Sequence, residues 1–504
     1  MKIEPAFDGF VAAYGRGEPQ VLWTSLVADV ETPVSAFLKL ARGKPYSFVL
    51  ESVEGGAVRG RYSFIGLDPD LIWRCQGNTA EINRDALDDV DAFTPCPVAE
   101  AEGAIASLRS LVAESRIDLP DGLPPMSAGL VGYAAYDTVR LVEDIPDGNP
   151  DALGIPDGVF IRPTVMAVFD TIKDVISVFT PVWPRDGVDA QRAYGIAVER
   201  LRRIVGYFDT PLPEAARAHP ESDVPDLAPA SNMTQGEFHA MVEKGKEYIK
   251  AGDVFQVVLS QRFSVPFPYP PFALYRALRR LNPSPFLFFL DFGGFAIVGS
   301  SPEILVRMRE GKVTIRPIAG TRRRGKDAAE DQELANDLLT DPKELAEHLM
   351  LLDLGRNDVG RVAETGTVTV TEQFNIENYS HVMHIVSNVE GKLKPDLDAL
   401  DALYAGFPAG TVSGAPKVRA MEIIDELENV RRGVYAGCIG YFGADGDMDS
   451  CIALRTAVVK DDTMYVQAGG GVVHDSSPEG EYQESINKSR ALIRAAEEAV
   501  KFAG

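Results

Sequence analysis

The sequence has few cysteines and no long apolar run. Four cysteines occur in 504 residues, with no C-x-x-C spacing and no clustering with histidine: Cys75, Cys96, Cys438 and Cys451. We therefore expect neither a zinc site nor a disulfide scaffold, and a reducing compartment, the cytoplasm, is the simplest interpretation. The longest apolar stretch, FLFFLDFGGFAIVG, is interrupted by Asp291 and two glycines, and MKIEPAFDGF has no signal-peptide core. No membrane segment is predicted.

Basic residues are also scarce. There are 50 Lys and Arg against 74 Asp and Glu, which gives a formal net charge of −24. A nucleic-acid partner is not expected, because phosphates require a basic surface. A small anionic substrate remains compatible with this charge, since an arginine and a metal ion can reverse the field inside one cleft.

Amino-acid composition and hydropathy pattern divide the chain into three parts. Residues 1–209 mix short β-rich runs with helical stretches, and residues 210–232 form a linker rich in Pro, Ala and acidic residues. Residues 233–504 begin with a helix capped by Thr234, and longer helical patterns follow at 327–354 and 479–502. Because the strands come in runs instead of alternating strictly with helices, the pattern predicts an α+β fold with sheet layers.

Two pairs of glutamates are spaced three residues apart on predicted helices. Glu344 and Glu347 form the first pair, and Glu481 and Glu484 form the second. Residues with this spacing share one helix face, so four carboxylates meet if the two helices converge. Such a group requires a cation, and Mg²⁺ suits an all-oxygen site with open positions. Taken alone, either pair is more typical of an ordinary charged helix surface.

Glycine-rich turns and isolated polar residues provide further candidates. The segments PIAGTRRRG, GTVSGAPK and QAGGGVV can bring backbone N–H groups close to a carboxylate, although glycines also form ordinary hairpins. Arg455 and His384 each interrupt an apolar strand. The arginine could bind a carboxylate and the histidine could move a proton, or they could be an outward-facing arginine and a structural core histidine.

Together these segments resemble the chorismate-utilising enzyme family, and within it most closely anthranilate synthase component I. The resemblance is dense over 233–495, through PIAGTRRRG, KELAEHLMLLDLGRND, GTVSGAPKVRAMEII, CIALRTAVV and VQAGGGVVHDS. It is looser in the N-terminal portion, through FVLESVEGG and RYSFIG. It implies β-sheet layers sandwiched with helices and two intertwined subdomains.

The resemblance also implies roles for individual residues. Glu347 and Glu484 correspond to Mg²⁺ ligands, with Glu344 and Glu481 as their partners around the ion. His384 corresponds to the proton-handling group, and Thr411 to a hydroxyl- or ammonia-contacting group. The expected chorismate-binding residues are Gly320, Thr321, Tyr435, Arg455, Gly469, Gly470, Gly471 and Lys488.

Two positions favour anthranilate formation over the other activities of the family. Relatives that form isochorismate or salicylate carry lysine in a segment resembling KVVL, where this chain has Gln256, and aminodeoxychorismate synthases typically carry lysine in PIKGT, where it has Ala319. Both activities stay as alternatives. An inactive regulatory or scaffold subunit is a third, which the retained glutamates, His384 and Arg455 disfavour.

The resemblance implies one partner and one inhibitor. No glutaminase segment is recognisable, so we expect a separate glutamine amidotransferase subunit to supply ammonia. Ser52 in VLESVEGG and Pro285, Phe286 and Leu287 in NPSPFL resemble the two halves of a tryptophan feedback site. The same segments could be no more than a β-edge turn and a proline-rich loop.

Overall fold

The computed structural model describes residues 1–54, 58–213, 224–379 and 382–503. Residues 214–223 of the predicted linker lie outside the described residues. The α-helices in the described ranges are α1 (Phe7–Gly15), α2 (Pro33–Ala41), α3 (Pro97–Glu102), α4 (Ala104–Glu114), α5 (Ala190–Phe208), α6 (Gln235–Ala251), α7 (Pro271–Leu281), α8 (Ala328–Thr340), α9 (Pro342–Val362), α10 (Ala399–Gly406), α11 (Lys417–Leu427) and α12 (Pro478–Glu498).

The strands are mostly short, as the sequence predicts. They are β1 (Gln20–Val27), β2 (Ser47–Glu54), β3 (Val58–Gln76), β4 (Thr79–Asn83), β5 (Thr94–Pro95), β6 (Gly129–Ala134), β7 (Gly158–Asp170), β8 (Val175–Val182), β9 (Ala230–Ser231), β10 (Gln256–Pro266), β11 (Phe286–Asp291), β12 (Ala296–Ser301), β13 (Ile304–Arg309), β14 (Lys312–Ile315), β15 (Ile318–Arg323), β16 (Thr369–Asn378), β17 (Val382–Lys392), β18 (Gly414–Ala415), β19 (Cys438–Gly443), β20 (Met448–Ile452), β21 (Thr456–Lys460) and β22 (Thr463–Val472).

Capping residues fix where the site-bearing helices begin. Thr234 and Glu237 form a capping box at the start of α6, as predicted. The single helix expected over 327–354 is instead two helices, α8 and α9, which meet at Asp341. Because Asp341 precedes a proline, its backbone is extended, and α8 ends there. The Asp341 carboxylate caps the start of α9 by accepting hydrogen bonds from the backbone N–H groups of Lys343 and Glu344.

The strands pair in antiparallel fashion, and the two predicted portions share sheets. One series of neighbouring strands has the side-by-side order β10, β22, β21, β12, β11, β2 and β3. A second series has the side-by-side order β7, β6, β19, β20, β13, β14 and β17. Strands β2 and β6 from the N-terminal portion thus pair with β11 and β19 from the C-terminal portion, so the expected intertwining of the two portions is present.

Helices cover the sheets and leave apolar cores between the layers. Helices α5, α7 and α12 bury their apolar faces with β2, β7 and β22 in one core. Helices α6, α9, α10 and α11 contribute to a second core, and strand side chains such as Tyr133 and Phe288 form a third. None of the helices in the described residues is long and apolar enough to cross a membrane.

Candidate active site

The two glutamate pairs face one another, although they come from distant parts of the chain. Glu347 on α9 is partly buried, and burial together with the neighbouring carboxylates of Glu344 and Glu484 raises its pKa. Burial and the Glu484 carboxylate likewise raise the pKa of Glu481. Because Glu484 of α12 acts on Glu347 of α9, and Lys343 of α9 acts on Glu481 of α12, the two helices converge, as the sequence argument required.

Two cations already neutralise part of this acidic cluster. Arg322 donates to Glu344 at 2.8 Å, and Lys488 lies 2.7 Å from Glu484. The Oε2 atom of Glu481 is buried and accepts no hydrogen bond. No group of three or more Asp, Glu, His or Cys side chains in the described part of the chain is arranged to hold a metal ion. The four carboxylates therefore lie close together without forming a complete set of metal ligands. The buried Oε2 atom of Glu481 still requires a hydrogen-bond donor or a cation.

The glycines of β22 bring backbone up to these carboxylates. A Cβ placed on Gly470 would lie 2.4 Å from Oε2 of Glu481, and one on Gly469 would lie 2.2 Å from the backbone oxygen of Leu259. A Cβ on Gly471 would lie 2.1 Å from Nε2 of Gln256. A side chain at any of these three positions would collide with a neighbouring atom, so only glycine fits. The backbone of β22 therefore lines the site next to the glutamates.

His384 lies beside Gly320 and Thr321. It is across from Thr321 in the pairing of β15 with β17, and its Nδ1 is 2.9 Å from the Gly320 carbonyl oxygen. A carbonyl oxygen only accepts, so the proton resides on Nδ1 and Nε2 carries the lone pair. Burial lowers the pKa of His384, and the nearby Arg455 guanidinium lowers it further. The ring is therefore neutral and can accept a proton at Nε2.

Arg455 is held in an unusual backbone conformation. Its φ is +48°, in the left-handed region that residues other than glycine seldom adopt, and burial lowers the pKa of its guanidinium. Such strain costs about 1–3 kcal/mol and concentrates at functional sites. The Arg455 side chain remains partly exposed, so its guanidinium is suited to a substrate carboxylate. Tyr435 is buried, and burial raises its pKa to about 12.

Glu303 is a site residue that the sequence analysis missed. It precedes β13, is buried, and accepts a hydrogen bond of 3.0 Å from the Thr411 hydroxyl. Burial raises its pKa to about 8, so the carboxyl is protonated at neutral pH. A single acid within the apolar segment SSPEILVRM was the available signal. It was overlooked because an isolated glutamate lacks the paired spacing that drew attention elsewhere.

A separate cavity of about 800 Å³ contains the predicted effector residues. Ser52, Pro285, Phe286 and Leu287 all line it. They meet because β2 pairs with β11, with Leu287 opposite Glu51. The structure therefore brings together the two segments that the sequence placed in one site.

Comparisons with known proteins define the class. The sequence pattern of the family described as chorismate binding enzyme matches residues 63–494, and this chain belongs to that family. It is 57% identical to "Anthranilate synthase component 1" of Cereibacter sphaeroides, covering 99% of this chain and 98% of that protein. It is 46% identical to the protein of the same name from Aquifex aeolicus, covering 94% of each.

Solved structures agree with this assignment. Anthranilate synthase component I from Streptococcus pneumoniae matches with a TM-score of 0.74 and 37% identity, covering 93% of this chain and 99% of that one. The menaquinone-specific isochorismate synthase of Escherichia coli shares the fold at 19% identity, with a TM-score of 0.69 and coverage of 97% and 98%. The predicted α+β fold and the resemblance to anthranilate synthase component I are confirmed.

Proposed function

We propose that this chain is the chorismate-converting subunit of an anthranilate synthase, a lyase that forms anthranilate and pyruvate from chorismate and ammonia at the first step of tryptophan biosynthesis. The observation that carries this proposal is the 57% identity over 99% of the chain to a protein named anthranilate synthase component 1. Gln256 supports the choice within the family. Its side chain is buried against Gly471, and an amide cannot act as a base for water.

We propose Mg²⁺ as the cofactor, because the oxygen-only donor set and the unpartnered Oε2 of Glu481 fit a hard divalent cation. Glu347 and Glu484 would hold it, with Glu344 and Glu481 beside them. When bound, the ion would neutralise and polarise the ring carboxylate of chorismate. Arg322 and Lys488 hold two of the four carboxylates in place around it.

The first chemical step needs a proton donor for the leaving hydroxyl. Ammonia forms a bond to ring carbon 2, the ring double bonds shift, and the bond from carbon 4 to its hydroxyl breaks. The new ammonium group then releases one proton to solvent, which leaves a neutral amine. We assign the donor to Glu303, since its carboxyl is protonated at neutral pH and can transfer that proton so that water leaves. Thr411 orients the carboxyl through its 3.0 Å hydrogen bond.

The second step needs a base, and the neutral His384 suits this role. Its Nε2 lone pair can take the proton from carbon 2 while the bond from carbon 3 to the enolpyruvyl oxygen breaks. The ring becomes aromatic, and the released enolate takes a proton at its methylene carbon to give pyruvate. Arg455 would hold the enolpyruvyl carboxylate during this elimination.

Three further parts of the proposal concern regulation, supply and location. A separate glutamine amidotransferase subunit delivers ammonia, as the name "component 1" of the relatives suggests. Tryptophan binds the 800 Å³ cavity beside Ser52 and inhibits. The chain works in the cytoplasm, where its four free and buried cysteines stay reduced.

The test is product identity. Purified chain is incubated with chorismate, Mg²⁺ and ammonium at a pH at which free ammonia is present, and anthranilate is followed by its fluorescence. Anthranilate and pyruvate in equal amounts support the proposal. Isochorismate or aminodeoxychorismate as the sole product would replace it with the corresponding relative's activity. An absence of turnover, with correctly folded protein, would favour an inactive subunit.

A further inference from the structure

A second, smaller cavity lies in the N-terminal portion, away from the glutamate pairs. It has a volume of about 110 Å³ and is bounded by the end of β8, by α5 and by Tyr14 of α1. Pro181, Val188 and Ile196 contribute apolar surface. Two arginines, Arg185 and Arg200, line the same space. None of these side chains takes part in the chemistry described above.

One carboxylate in the cavity wall is already shared by two arginines. Asp70 is buried and accepts from Nε and Nη2 of Arg162 at 2.8 and 3.0 Å. It also accepts from Arg185 at 3.3 Å. Glu114 approaches Arg162 only at 3.4 Å and forms its shorter pair with Arg84. The hydrogen bonds of the Asp70 carboxylate thus go to Arg162 and Arg185.

Arg200 has no such partner. Its Nη1 donates to the Thr180 hydroxyl at 3.0 Å, and none of the ion pairs around the cavity among the described residues includes it. Burial lowers the pKa of Arg200, while the Asp70 carboxylate, which makes no direct contact with it, acts in the opposite direction. A partly buried guanidinium without a direct ion pair is costly. A protein with 74 acidic residues could readily have supplied one.

We propose that this cavity binds a small oxyanion, a carboxylate or a phosphate, on the guanidinium of Arg200. The planar fork of arginine donates two parallel hydrogen bonds to such a group, and Arg185 adds positive charge at the rim. The apolar surface of Pro181, Val188 and Ile196 can contact a short aliphatic part of the ligand. The volume excludes chorismate or a nucleotide, since drug-sized ligands occupy sites of about 300–1,000 Å³.

The test is calorimetric titration of the whole chain with two probes, pyruvate and inorganic phosphate. Pyruvate is chosen because the proposed function produces it, whereas phosphate does not depend on that function. Arg200→Met removes the charge and keeps an unbranched side chain. Arg202→Met removes the same charge from an exposed position on the same helix, pointing away from the cavity.

We expect at least one probe to bind the wild type and Arg202→Met equally, and Arg200→Met at least about tenfold more weakly, the loss of one charged, bidentate contact. Binding of pyruvate alone identifies a carboxylate site, and binding of both probes a general oxyanion site. Equal affinity in Arg200→Met, or no binding to the wild type, overturns the proposal. Because the readout is binding, a failure of anthranilate formation leaves it unaffected.

A second variant covers the case in which Arg200→Met does not fold, as judged by circular dichroism. The Arg185 side chain is 61% exposed, so Arg185→Met should leave the fold intact. We expect it to weaken the same binding event by several-fold. Unchanged affinity in a folded Arg185→Met would show that the anion binds elsewhere.

Discussion

The hydroxyl of Thr411 donates a 3.0 Å hydrogen bond to Oε1 of Glu303, a buried carboxyl. The neighbours of Glu303 on the chain, Pro302 and Ile304, line the effector cavity. Lys488, which pairs with Glu484, acts electrostatically on the Glu303 carboxyl, so Glu303 lies near both sites. Because its pKa is raised to about 8, the carboxyl is protonated at neutral pH, as the proposed role of proton donor requires.

Glu303→Gln removes this acid while keeping the shape and the contact with Thr411. We expect kcat to fall about 10²–10⁴-fold, the usual contribution of a general acid. In the wild type the protonated form is present below the pKa of about 8 and is lost above it, so kcat should decline on the alkaline side. That decline should be absent in Glu303→Gln. Glu310→Gln, at an exposed position, is the control. If kcat of Glu303→Gln still declines at alkaline pH, another group donates the proton.

Ser52→Arg should make the enzyme insensitive to tryptophan. Ser52 lines the 800 Å³ cavity, and its Oγ contacts Gly60 so closely that a Cβ on that glycine would lie 1.7 Å from it. An arginine there must extend into the cavity and occupy the effector's place. We expect the inhibitory concentration of tryptophan to rise by about tenfold or more, a loss of at least 1.4 kcal/mol. Ser25→Arg on the exposed face of β1 is the control, and unchanged inhibition would count against this site.

Gln256→Lys tests the choice of nucleophile. The Gln256 Oε1 atom is buried without a donor, and its Nε2 lies against Gly471. A lysine amine in the same place can take a proton from water, whereas the amide cannot. We expect anthranilate formation to drop by about tenfold or more, and isochorismate to appear among the products on chromatography. The exposed Gln235→Lys should change neither product, and an unaltered product ratio in Gln256→Lys would mean that this side chain does not select the nucleophile.

Arg432→Ala should destabilise the fold strongly. Arg432 and Glu428 are buried and joined by two hydrogen bonds, of 2.9 and 2.6 Å. Removing one member leaves an uncompensated buried charge, which costs about 3–5 kcal/mol. Arg419→Ala breaks a far more exposed pair with Glu422 and should cost about 0–1 kcal/mol. Urea unfolding measures both, and equal losses in the two variants would be inconsistent with this difference in burial.

Sequence reasoning found the residues whose spacing or composition carries a signal. The glutamate pairs share helix faces by simple periodicity, and His384 stands out in an apolar strand. Glu303 carries no such signal, because its pKa depends on burial by residues distant in the chain. The same holds for Arg200: that it forms no ion pair becomes visible only in the structure, where Asp70 accepts from Arg162 and Arg185 instead. The missed helix break at Asp341 was readable, since a proline follows it.

The measurement that tests the central claim most directly is a count of bound divalent ions. Electron paramagnetic resonance follows free Mn²⁺, as a substitute for Mg²⁺, during titration of the whole chain with and without chorismate. The account predicts one Mn²⁺ per chain, bound more tightly with chorismate present, and its loss in both Glu347→Gln and Glu484→Gln. Unchanged Mn²⁺ binding in the two variants would contradict a metal site between α9 and α12.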